Sequence, residues 1–387
     1  MNRIYMDHGA TTKPDPEVVN AMLPYYNEFF GNASSLHSTG QDAAKVLNRS
    51  REFVADFIGA RSDEIIFTSG GTESDNLALK GIAYHKKNAG KHIITSIIEH
   101  PAILNTCKYL GETGFNITYV PVDDQGVVNP EDVAAAITDD TILISIMHAN
   151  NEIGTIQPIK EISKIAHEHD ILMHTDAVQS VGKIPVNVDD LGVDMLSISG
   201  HKIYGPKGVG ALYVRKGTRL QSLVQGGAHE FGKRAGTENI PGIVGFAKAI
   251  ELADQRLSED EKHLINLRDT MIKKLLDSIP YSYLNGHPTQ RLPNNVHIRF
   301  NFVEGESLLM MLNIKGVDVS TGSACSSKSL EPSHVLMALG ISPEEIHGSL
   351  RITMGRENTM DEVDYVVENL IEILKKLRAM SPITPKD

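Results

Sequence analysis

Residues 195–210 read Met-Leu-Ser-Ile-Ser-Gly-His-Lys-Ile-Tyr-Gly-Pro-Lys-Gly-Val-Gly, and this stretch decides the fold. Its opening apolar run predicts a buried strand, and Lys202 follows among small residues. The glycines let the backbone approach a ligand closely, and a lysine in a partly dry pocket can lose its proton and attack a carbonyl group. Taken alone, the stretch also fits a surface lysine before a Gly-Pro turn, so its interpretation depends on the rest of the chain.

Outward from this strand, apolar runs alternate with helical patterns. The runs are continuous, which is typical of strands that are buried on both faces of a parallel α/β sheet. The predicted strands are 64–68, 92–97, 117–122, 141–147, 171–175, 195–199 and 210–214. The predicted helices between or before them include 37–58, 73–84, 102–113, 130–136 and 159–169. This run of six or seven strands predicts one large domain that ends near residue 256.

The pattern changes after residue 256. Ser258 and Glu261 form a capping box, which predicts that a helix begins there, and Thr359 and Glu362 form a second one before a long amphipathic helix. Between them the sequence predicts a strand at 295–300, a helix at 306–312 and a strand at 316–320. We therefore assign residues 15–256 to a large domain, and residues 1–14 with 257–387 to a smaller α+β domain.

Composition limits the classes of function. The chain has 387 residues and a formal net charge of −12, which disfavours nucleic acid as a partner because phosphate contacts need clustered Lys and Arg. No apolar run reaches the ~18 to 20 residues that span a bilayer. The N-terminus has no signal-peptide layout, and two cysteines form no disulfide framework. These features predict a soluble, cytoplasmic protein that binds neither nucleic acid nor membrane.

Three segments carry candidate ligand-binding residues. Gly70, Gly71 and Thr72 join a strand to a helix N-terminus, which favours a phosphate group but also fits a glycine turn with a Thr cap. Asp176 closes a strand at the edge of the sheet where ligands bind, although Asp is also a good helix cap. His100 follows another strand, and a lone His is usually structural.

Two further residues suggest chemistry. Cys325 lies in the small, polar segment 320–329, where an exposed thiol is typically reactive, whereas the apolar neighbours of Cys107 predict a core cysteine. An incidental loop thiol remains the alternative for Cys325. The planar fork of Arg351 fits a carboxylate, and an ordinary salt bridge is the alternative.

Several motifs together closely resemble the cysteine desulfurases of the NifS/IscS group, over essentially the whole chain and in the same order. They are Ala149-Asn-Asn-Glu-Ile-Gly154, Asp176-Ala-Val-Gln179, Ser199-Gly-His-Lys202 with Gly205-Pro-Lys-Gly208, Arg234-Ala-Gly-Thr-Glu-Asn239 and Gly322-Ser-Ala-Cys325. The resemblance implies a class-V aminotransferase-like enzyme of fold type I, which depends on pyridoxal 5'-phosphate. It further implies a homodimer, with a mainly parallel seven-stranded sheet in the large domain and a smaller α+β C-terminal domain.

The resemblance also implies roles by position. Lys202 would hold pyridoxal phosphate as a Schiff base and move protons on the substrate, and His100 would stack on the ring and act as an acid or base. Asp176 would pair with the ring nitrogen and Gln179 with the phenolic oxygen. The remaining cofactor-binding residues, on the phosphate side, would be Gly71, Thr72, Ser199, His201 and, reaching into the site of the partner subunit, Thr237. No metal site is implied.

On the substrate side, the resemblance implies that Asn151 and Arg351 hold the carboxylate of L-cysteine. The Cys325 thiolate would attack the substrate sulfur, which leaves L-alanine and a persulfide on Cys325. An iron–sulfur scaffold or another sulfur-acceptor protein would then take the sulfur. One segment departs from the family pattern: members commonly carry Asp-Asn-Ala or Asp-Asn-Asn before Ala-Thr-Thr, and this chain carries Asp7-His8-Gly9.

Three alternatives remain open at the level of sequence. Another fold-type-I enzyme, such as an aminotransferase, would share Lys202 and Asp176 but would not need Cys325. A selenocysteine lyase would differ only in the amino acid that it turns over. A non-catalytic assembly factor would keep the fold alone, and the complete set of Lys202, Asp176, His100 and Cys325 argues against it.

Overall fold

The computed structural model describes residues 3–321 and 332–380. Within these ranges the strands are β1 (Ile4–Tyr5), β2 (Ile65–Thr68), β3 (His92–Ser96), β4 (Asn116–Val120), β5 (Thr141–Ser145), β6 (Leu172–Asp176), β7 (Met195–Ser199), β8 (Gly210–Val214), β9 (Ser282–Leu284), β10 (Asn295–Phe300), β11 (Val317–Asp318) and β12 (Ser349–Thr353). The helices are α1 (Pro16–Met22), α2 (Pro24–Asn27), α3 (Ser38–Phe57), α4 (Gly71–Lys86), α5 (Pro101–Glu112), α6 (Pro130–Ala136), α7 (Ile159–Glu168), α8 (Val188–Leu191), α9 (Ile240–Ser278), α10 (Gly305–Ile314), α11 (His334–Ala338), α12 (Pro343–Ile346) and α13 (Met360–Met380).

The larger sheet contains seven strands in the order β2-β8-β7-β6-β5-β3-β4. Strands β7, β6, β5, β3 and β4 are parallel, and only β8 runs antiparallel, to β2 and to β7. The predicted mainly parallel, seven-stranded α/β sheet is therefore confirmed, and each predicted strand agrees with the observed one to within two residues at either end.

The sheet is covered on both faces, which explains why its strands read as continuous apolar runs. Successive side chains of a strand point to opposite faces, so Ile65 and Phe67 pack in a core with residues of α3, α7 and α9. Ile66 packs on the other face, with residues of α4 and α5. Cys107 belongs to this second core and is buried, as its apolar neighbours predicted.

A separate core lies around the second sheet, where β10 pairs antiparallel with β9 and β12. Met6 from the N-terminus packs there with residues of α9, α10 and α13, and β1 pairs in parallel with β11. Apolar residues of α9 up to Leu252 belong to the core on one face of the larger sheet, and those from Leu264 onward belong to the core around the second sheet. The predicted boundary at residue 256 falls between the two sets, and the domain limits stay a prediction.

The capping box at Ser258 does not begin a helix, so that prediction is wrong. Ser258 lies inside α9, which runs unbroken from Ile240 to Ser278. No glycine or proline interrupts residues 246–278, and each half of the helix buries its own apolar stripe. The second capping box is confirmed: Thr359 Oγ1 accepts from Glu362 N (3.3 Å) and Glu362 Oε2 accepts from Thr359 N (3.1 Å), directly before α13.

Across the described residues, no helix is both long and apolar enough to cross a membrane. The predicted cytoplasmic location stays a prediction.

Candidate active site

A cavity of about 750 Å³ opens where the parallel strands of the larger sheet end. Because the carboxyl ends of these strands share one edge, the segments that follow β3, β5, β6 and β7 all reach it. The start of α4, the N-terminal segment and β12 complete its walls. Ten of the predicted site residues line it together, namely Gly71, Thr72, His100, Asn151, Asp176, Gln179, Ser199, His201, Lys202 and Arg351.

Lys202 ends a short helical turn, Gly200–Lys202, directly after β7. Its Nζ donates hydrogen bonds to the carbonyl oxygens of Ala10 (2.8 Å) and Gly9. The two ends of this loop pack closely together. A Cβ atom on Gly205 would lie only 2.7 Å from the carbonyl oxygen of Gly200, so a side chain does not fit there. Glycine at this position therefore holds the loop close to the sheet, with the lysine amine in the cavity.

Asp176 is the last residue of β6 and is almost fully buried. Its Oδ1 accepts from the backbone N–H of Val178 at 2.9 Å. Burial raises the pKa of Asp176, while the charge of His100, the Val178 N–H and Lys202 act in the opposite direction. A cationic group beside this carboxyl would favour its ionised form, since opposite charges stabilise each other in a buried site.

Two other buried carboxyl groups were missed by the sequence analysis. Asp75 of α4 lines the cavity, and its Oδ1 has no hydrogen-bond partner among the described residues. Burial and the charge of Asp176 hold the pKa of Asp75 well above its usual range. Burial also raises the pKa of Glu99 to about 8, although its Oε1 accepts from Ser96 Oγ (2.6 Å) and Met147 N (2.9 Å). Both carboxyl groups, one in the wall of the cavity and one behind it, are therefore harder to ionise than a carboxyl group in water.

His100 caps α5, since its Nδ1 accepts from the backbone N–H of Ala102 at 3.1 Å. Burial lowers the pKa of His100, while the charge of Asp176 acts to raise it and those of Lys202 and His334 lower it further. A neutral imidazole that accepts at Nδ1 carries its proton on Nε2. The ring therefore offers an N–H donor rather than a positive charge.

The start of α4 lines the cavity and forms the part of the site that favours an anion. The first backbone N–H groups of a helix have no intrahelical carbonyl partner and favour an anion. A Cβ atom on Gly71 would lie 2.7 Å from Val178 Cγ2, so glycine allows this helix end to approach the segment after β6. Gly71, Thr72, Ser199 and His201 also line an adjoining cavity of about 410 Å³.

The adjoining cavity is lined by one lysine and by one acid, Glu73, whose carboxylate is paired with Arg234 at 2.9 Å. Lys207 lines it, beside His201, whose Nδ1 lies 3.1 Å from Thr11 Oγ1. Burial, followed by the charges of Lys202, Lys207 and Lys183, lowers the pKa of His201 to about 4. The helix end and the lysine together fit an anionic group such as a phosphate.

Arg351 lies on β12 and is buried at the wall of the cavity. Its Nη1 donates to the carbonyl oxygen of Asn151 (3.0 Å) and its Nη2 to Asp7 Oδ1 (3.0 Å). Nε is buried without a partner in the described part of the chain. Since a guanidinium carries five N–H groups, the fork is fixed in position and retains donors for a carboxylate.

The segment that departs from the family pattern packs behind the site. His8 is buried, with its ring 4.9 Å from that of Tyr5. Gly9 lines the cavity, and a Cβ atom there would lie 3.1 Å from Thr353 and 3.4 Å from the Cζ of Arg351. Glycine at this position lets the N-terminal segment run close beside Arg351.

One predicted site residue among those that the structure describes is not in the cavity. Thr237 is exposed in the loop before α9 and does not line it. Cys325 lies outside the described residues, so its predicted role stays a prediction. The described chain on either side of the gap reaches the site: Ser320 pairs with Arg351 through two backbone hydrogen bonds (2.7 and 3.1 Å), and His334 lines the cavity. Over residues 3–321 and 332–380, no cluster of three or more His, Cys, Asp or Glu is arranged to hold a metal.

The arrangement fits a small aromatic cofactor with two charged ends. A cationic ring nitrogen suits buried Asp176, a phosphate suits the start of α4, and an aldehyde suits the amine of Lys202. The carboxylate of a bound amino acid suits Arg351. All four groups face one cavity, which is wide enough for both molecules.

Comparison with known proteins agrees with this chemistry. Residues 4–366 match the family described as aminotransferase class-V. A curated relative from Methanosarcina thermophila, named cysteine desulfurase IscS, is 58% identical, and the match covers 99% of this chain and 95% of that protein.

Solved structures are similar over almost the whole chain. A NifS-like protein superimposes with a TM-score of 0.91 and 41% identity, covering 97% of this chain and 100% of that one. The structure titled SspA in complex with cysteine gives a TM-score of 0.82 and 38% identity, over 92% of this chain and 100% of that one. These matches confirm the fold-type-I architecture.

Proposed function

This chain belongs to the class-V aminotransferase family, and on that premise we propose that it uses pyridoxal phosphate and Cys325 to transfer sulfur from L-cysteine to an acceptor. It is a cysteine desulfurase, a transferase that converts L-cysteine to L-alanine. The observation that carries the cofactor proposal is the single cavity that contains the amine of Lys202, the buried carboxyl of Asp176 and the start of α4.

Pyridoxal phosphate, when bound, acts as an electron sink that stabilises negative charge at the substrate Cα. Lys202 holds the cofactor through its amine and moves a proton at the substrate Cα. Asp176 keeps a proton on the ring nitrogen, and the start of α4 with Ser199 and His201 holds the phosphate. His100 would stack on the ring and act as an acid or base, and Asn151 and Arg351 would hold the substrate carboxylate.

The sulfur step belongs to Cys325. Its thiolate attacks the sulfur of L-cysteine, so that a new S–S bond forms as the Cβ–S bond of the substrate breaks. The electron pair of the broken bond stays with Cβ, which takes up a proton and becomes the methyl group of L-alanine. Cys325 is left as a persulfide, and no external oxidant or reductant is consumed.

Two partners follow from this proposal. A second copy of the chain is supported by the exposed loop that carries Thr237 and by large apolar side chains exposed near α1 and α2. These side chains are Val19, Leu23, Tyr26, Phe29, Phe30 and Leu36. A sulfur acceptor, such as an iron–sulfur scaffold protein, takes the sulfur from the persulfide. Sedimentation velocity tests the dimer directly, and a monomer at micromolar concentration contradicts it.

A product balance tests the reaction. Purified protein receives pyridoxal phosphate, a reducing thiol and L-cysteine, and alanine and sulfide are counted. We expect equal amounts of the two products, and we expect both to be lost in Cys325→Ser with the cofactor still bound. Cys107→Ser is the matched control, because that thiol is buried in the core of the larger sheet.

Four outcomes contradict the proposal. Absence of alanine from the wild-type protein, or an unaffected Cys325→Ser variant, removes the assigned role of Cys325. Alanine formation that instead depends on an added keto acid identifies an aminotransferase, and preferential turnover of selenocysteine identifies a lyase.

A further inference from the structure

A second lysine lies beside the site, on the turn after β6. Lys183 is buried, and its Nζ donates to two oxygens of one residue, the backbone oxygen (2.9 Å) and the side-chain Oε1 (3.3 Å) of Gln179. A buried ammonium is normally paired with a carboxylate, but in the described part of the chain both hydrogen bonds of Lys183 Nζ go to Gln179. Gln179 is therefore its main partner.

The same amide reaches the N-terminal segment on its other side. Gln179 Nε2 donates to the carbonyl oxygen of Gly9 at 3.0 Å, and this carbonyl also accepts from Lys202 Nζ. An amide nitrogen carries two hydrogens, and Gly9 takes one of them. The second hydrogen remains for an acceptor in the cavity, which Gln179 lines.

Lys183 decides which end of that amide faces the cavity. An ammonium only donates hydrogen bonds, so it requires the oxygen of the amide and turns the nitrogen away from itself. Without Lys183, rotating the Gln179 amide so that Oε1 and Nε2 exchange places would cost little free energy on the side that Lys183 now contacts. In the rotated amide, Oε1 would face the carbonyl oxygen of Gly9, and these two acceptors would repel each other. No N–H of Gln179 would then face the cavity.

The position of Lys183 also couples it to Lys202. Both side chains line a small cavity of about 20 Å³ behind the site, together with His8, Tyr204 and Asp260. Burial, and then the charge of Lys202, lowers the pKa of Lys183 to about 7. Two amines in this relation disfavour each other's positive charge, so Lys183 orients the amide fully only where Lys183 is protonated.

We propose that Lys183 is a positioning residue, which orients the Gln179 amide so that its N–H is presented to the phenolic oxygen of pyridoxal phosphate. The inference rests on the proposed function, because it needs the cofactor to bind in this cavity. It assigns no contact between Lys183 and the cofactor or the substrate.

A double-mutant cycle tests the proposal with Lys183→Met, Gln179→Leu and the double variant. Affinity for pyridoxal phosphate is measured by fluorescence titration, and the pH midpoint of the visible absorbance of the bound cofactor is measured separately. We expect Lys183→Met to weaken binding about tenfold, the value of one hydrogen bond. It should shift the pH midpoint in the same direction as Gln179→Leu, and it should add nothing in the Gln179→Leu background.

The controls separate positioning from packing. Lys183→Arg keeps the donor and should restore binding, and Lys164→Met, at an exposed site on α7, should leave it unchanged. Lys183→Leu replaces the Met variant if that protein does not fold. The inference is wrong if Lys183→Met weakens pyridoxal phosphate binding equally in the wild-type and Gln179→Leu backgrounds. It is also wrong if Lys183→Met leaves the pH midpoint unchanged. Wild-type protein that does not bind pyridoxal phosphate overturns the proposed function, and this inference with it.

Discussion

The guanidinium of Arg351 is held 3.0 Å from the carboxylate of Asp7, which joins β12 to the N-terminal segment. Arg351 is only 2% exposed, although Asp7 is partly exposed, so the guanidinium itself is shielded from solvent and constrained in position. The carbonyl of Asn151 holds a second N–H of the same guanidinium at 3.0 Å. The fork is thus fixed before any substrate arrives, and its remaining N–H groups have a defined direction.

Substitution of this arginine by lysine tests the carboxylate site. Lysine keeps the charge but replaces the planar fork by a single point donor. We expect Arg351→Lys to raise the KM for L-cysteine at least about tenfold, since a charge-assisted hydrogen bond contributes about 1.5–3 kcal/mol. The kcat should fall less than kcat/KM, which steady-state rates of alanine formation will show.

The matched control is Arg3→Lys, because Arg3 forms an ion pair with Asp318 that is exposed to solvent. Exposed pairs contribute little, so this variant should keep the wild-type KM. A wild-type KM in Arg351→Lys would assign Arg351 to a structural role with Asp7 alone.

Asp176→Asn tests the acid at the other end of the cavity. An amide has the shape of the carboxyl group but cannot stabilise a protonated ring nitrogen by charge. We expect alanine formation to fall about 100-fold, the equivalent of about 3 kcal/mol for a hydrogen bond to a charged group. The visible absorbance of bound cofactor should remain, which separates the chemical effect from loss of the cofactor.

Asp124→Asn serves as the control, since Asp124 is an exposed acid in the turn after β4. Activity of Asp176→Asn within twofold of wild type would place the partner of the ring nitrogen elsewhere, and Asp75 would then be the first candidate to examine.

Stability is expected to depend on pH through His297, which is fully buried on β10. Asn285 Nδ2 lies 2.9 Å from its Nδ1, and burial together with Arg351, Arg291 and Arg299 lowers its pKa to about 3. In the unfolded chain this group has a pKa of about 6.5. The unfolded state therefore binds more protons between about pH 6.5 and pH 3, so stability falls as the pH falls through that window.

Urea unfolding at pH 7 and pH 5 measures this effect. One pKa unit corresponds to about 1.4 kcal/mol, so His297 alone accounts for about 2 kcal/mol of lost stability at pH 5. His297→Gln should show a smaller difference between the two pH values, while His85→Gln, on the surface of α4, should match the wild type. An unchanged pH difference in His297→Gln would show that the acid sensitivity arises elsewhere.

The sequence predicted those parts of the site that carry a local signal. Lys202, Asp176 and Ser199 each follow or end a strand with a continuous apolar pattern, and Gly71 opens a helix after a strand. Parallel strands bring such segments to one edge of the sheet, so their proximity followed from the fold.

The residues that were missed have no local signal. Asp75 resembles an ordinary acid on a helix, and Lys183 resembles an ordinary basic residue in a turn, because burial depends on what distant segments pack against them. The same holds for the buried pair of Arg51 and Glu230, whose side chains meet at 2.6 Å although 179 residues separate them in the sequence. Long-range packing of this kind is not encoded in a window of ten or twenty residues.

The two capping boxes have the same sequence pattern, but only one of them caps a helix, so their effects on stability can be compared directly. Thr359 caps α13 and exchanges two hydrogen bonds with Glu362, whereas Ser258 is an exposed residue within α9. We expect Thr359→Ala to cost about 1 kcal/mol of unfolding free energy. Ser258→Ala should cost nothing, or stabilise the protein by up to about 0.5 kcal/mol, because alanine is the better helix former. Urea unfolding of both variants at the same cofactor loading tests the pair. Equal costs would mean that α9 is interrupted at Ser258 in solution, and that the sequence motif acts as a cap there after all.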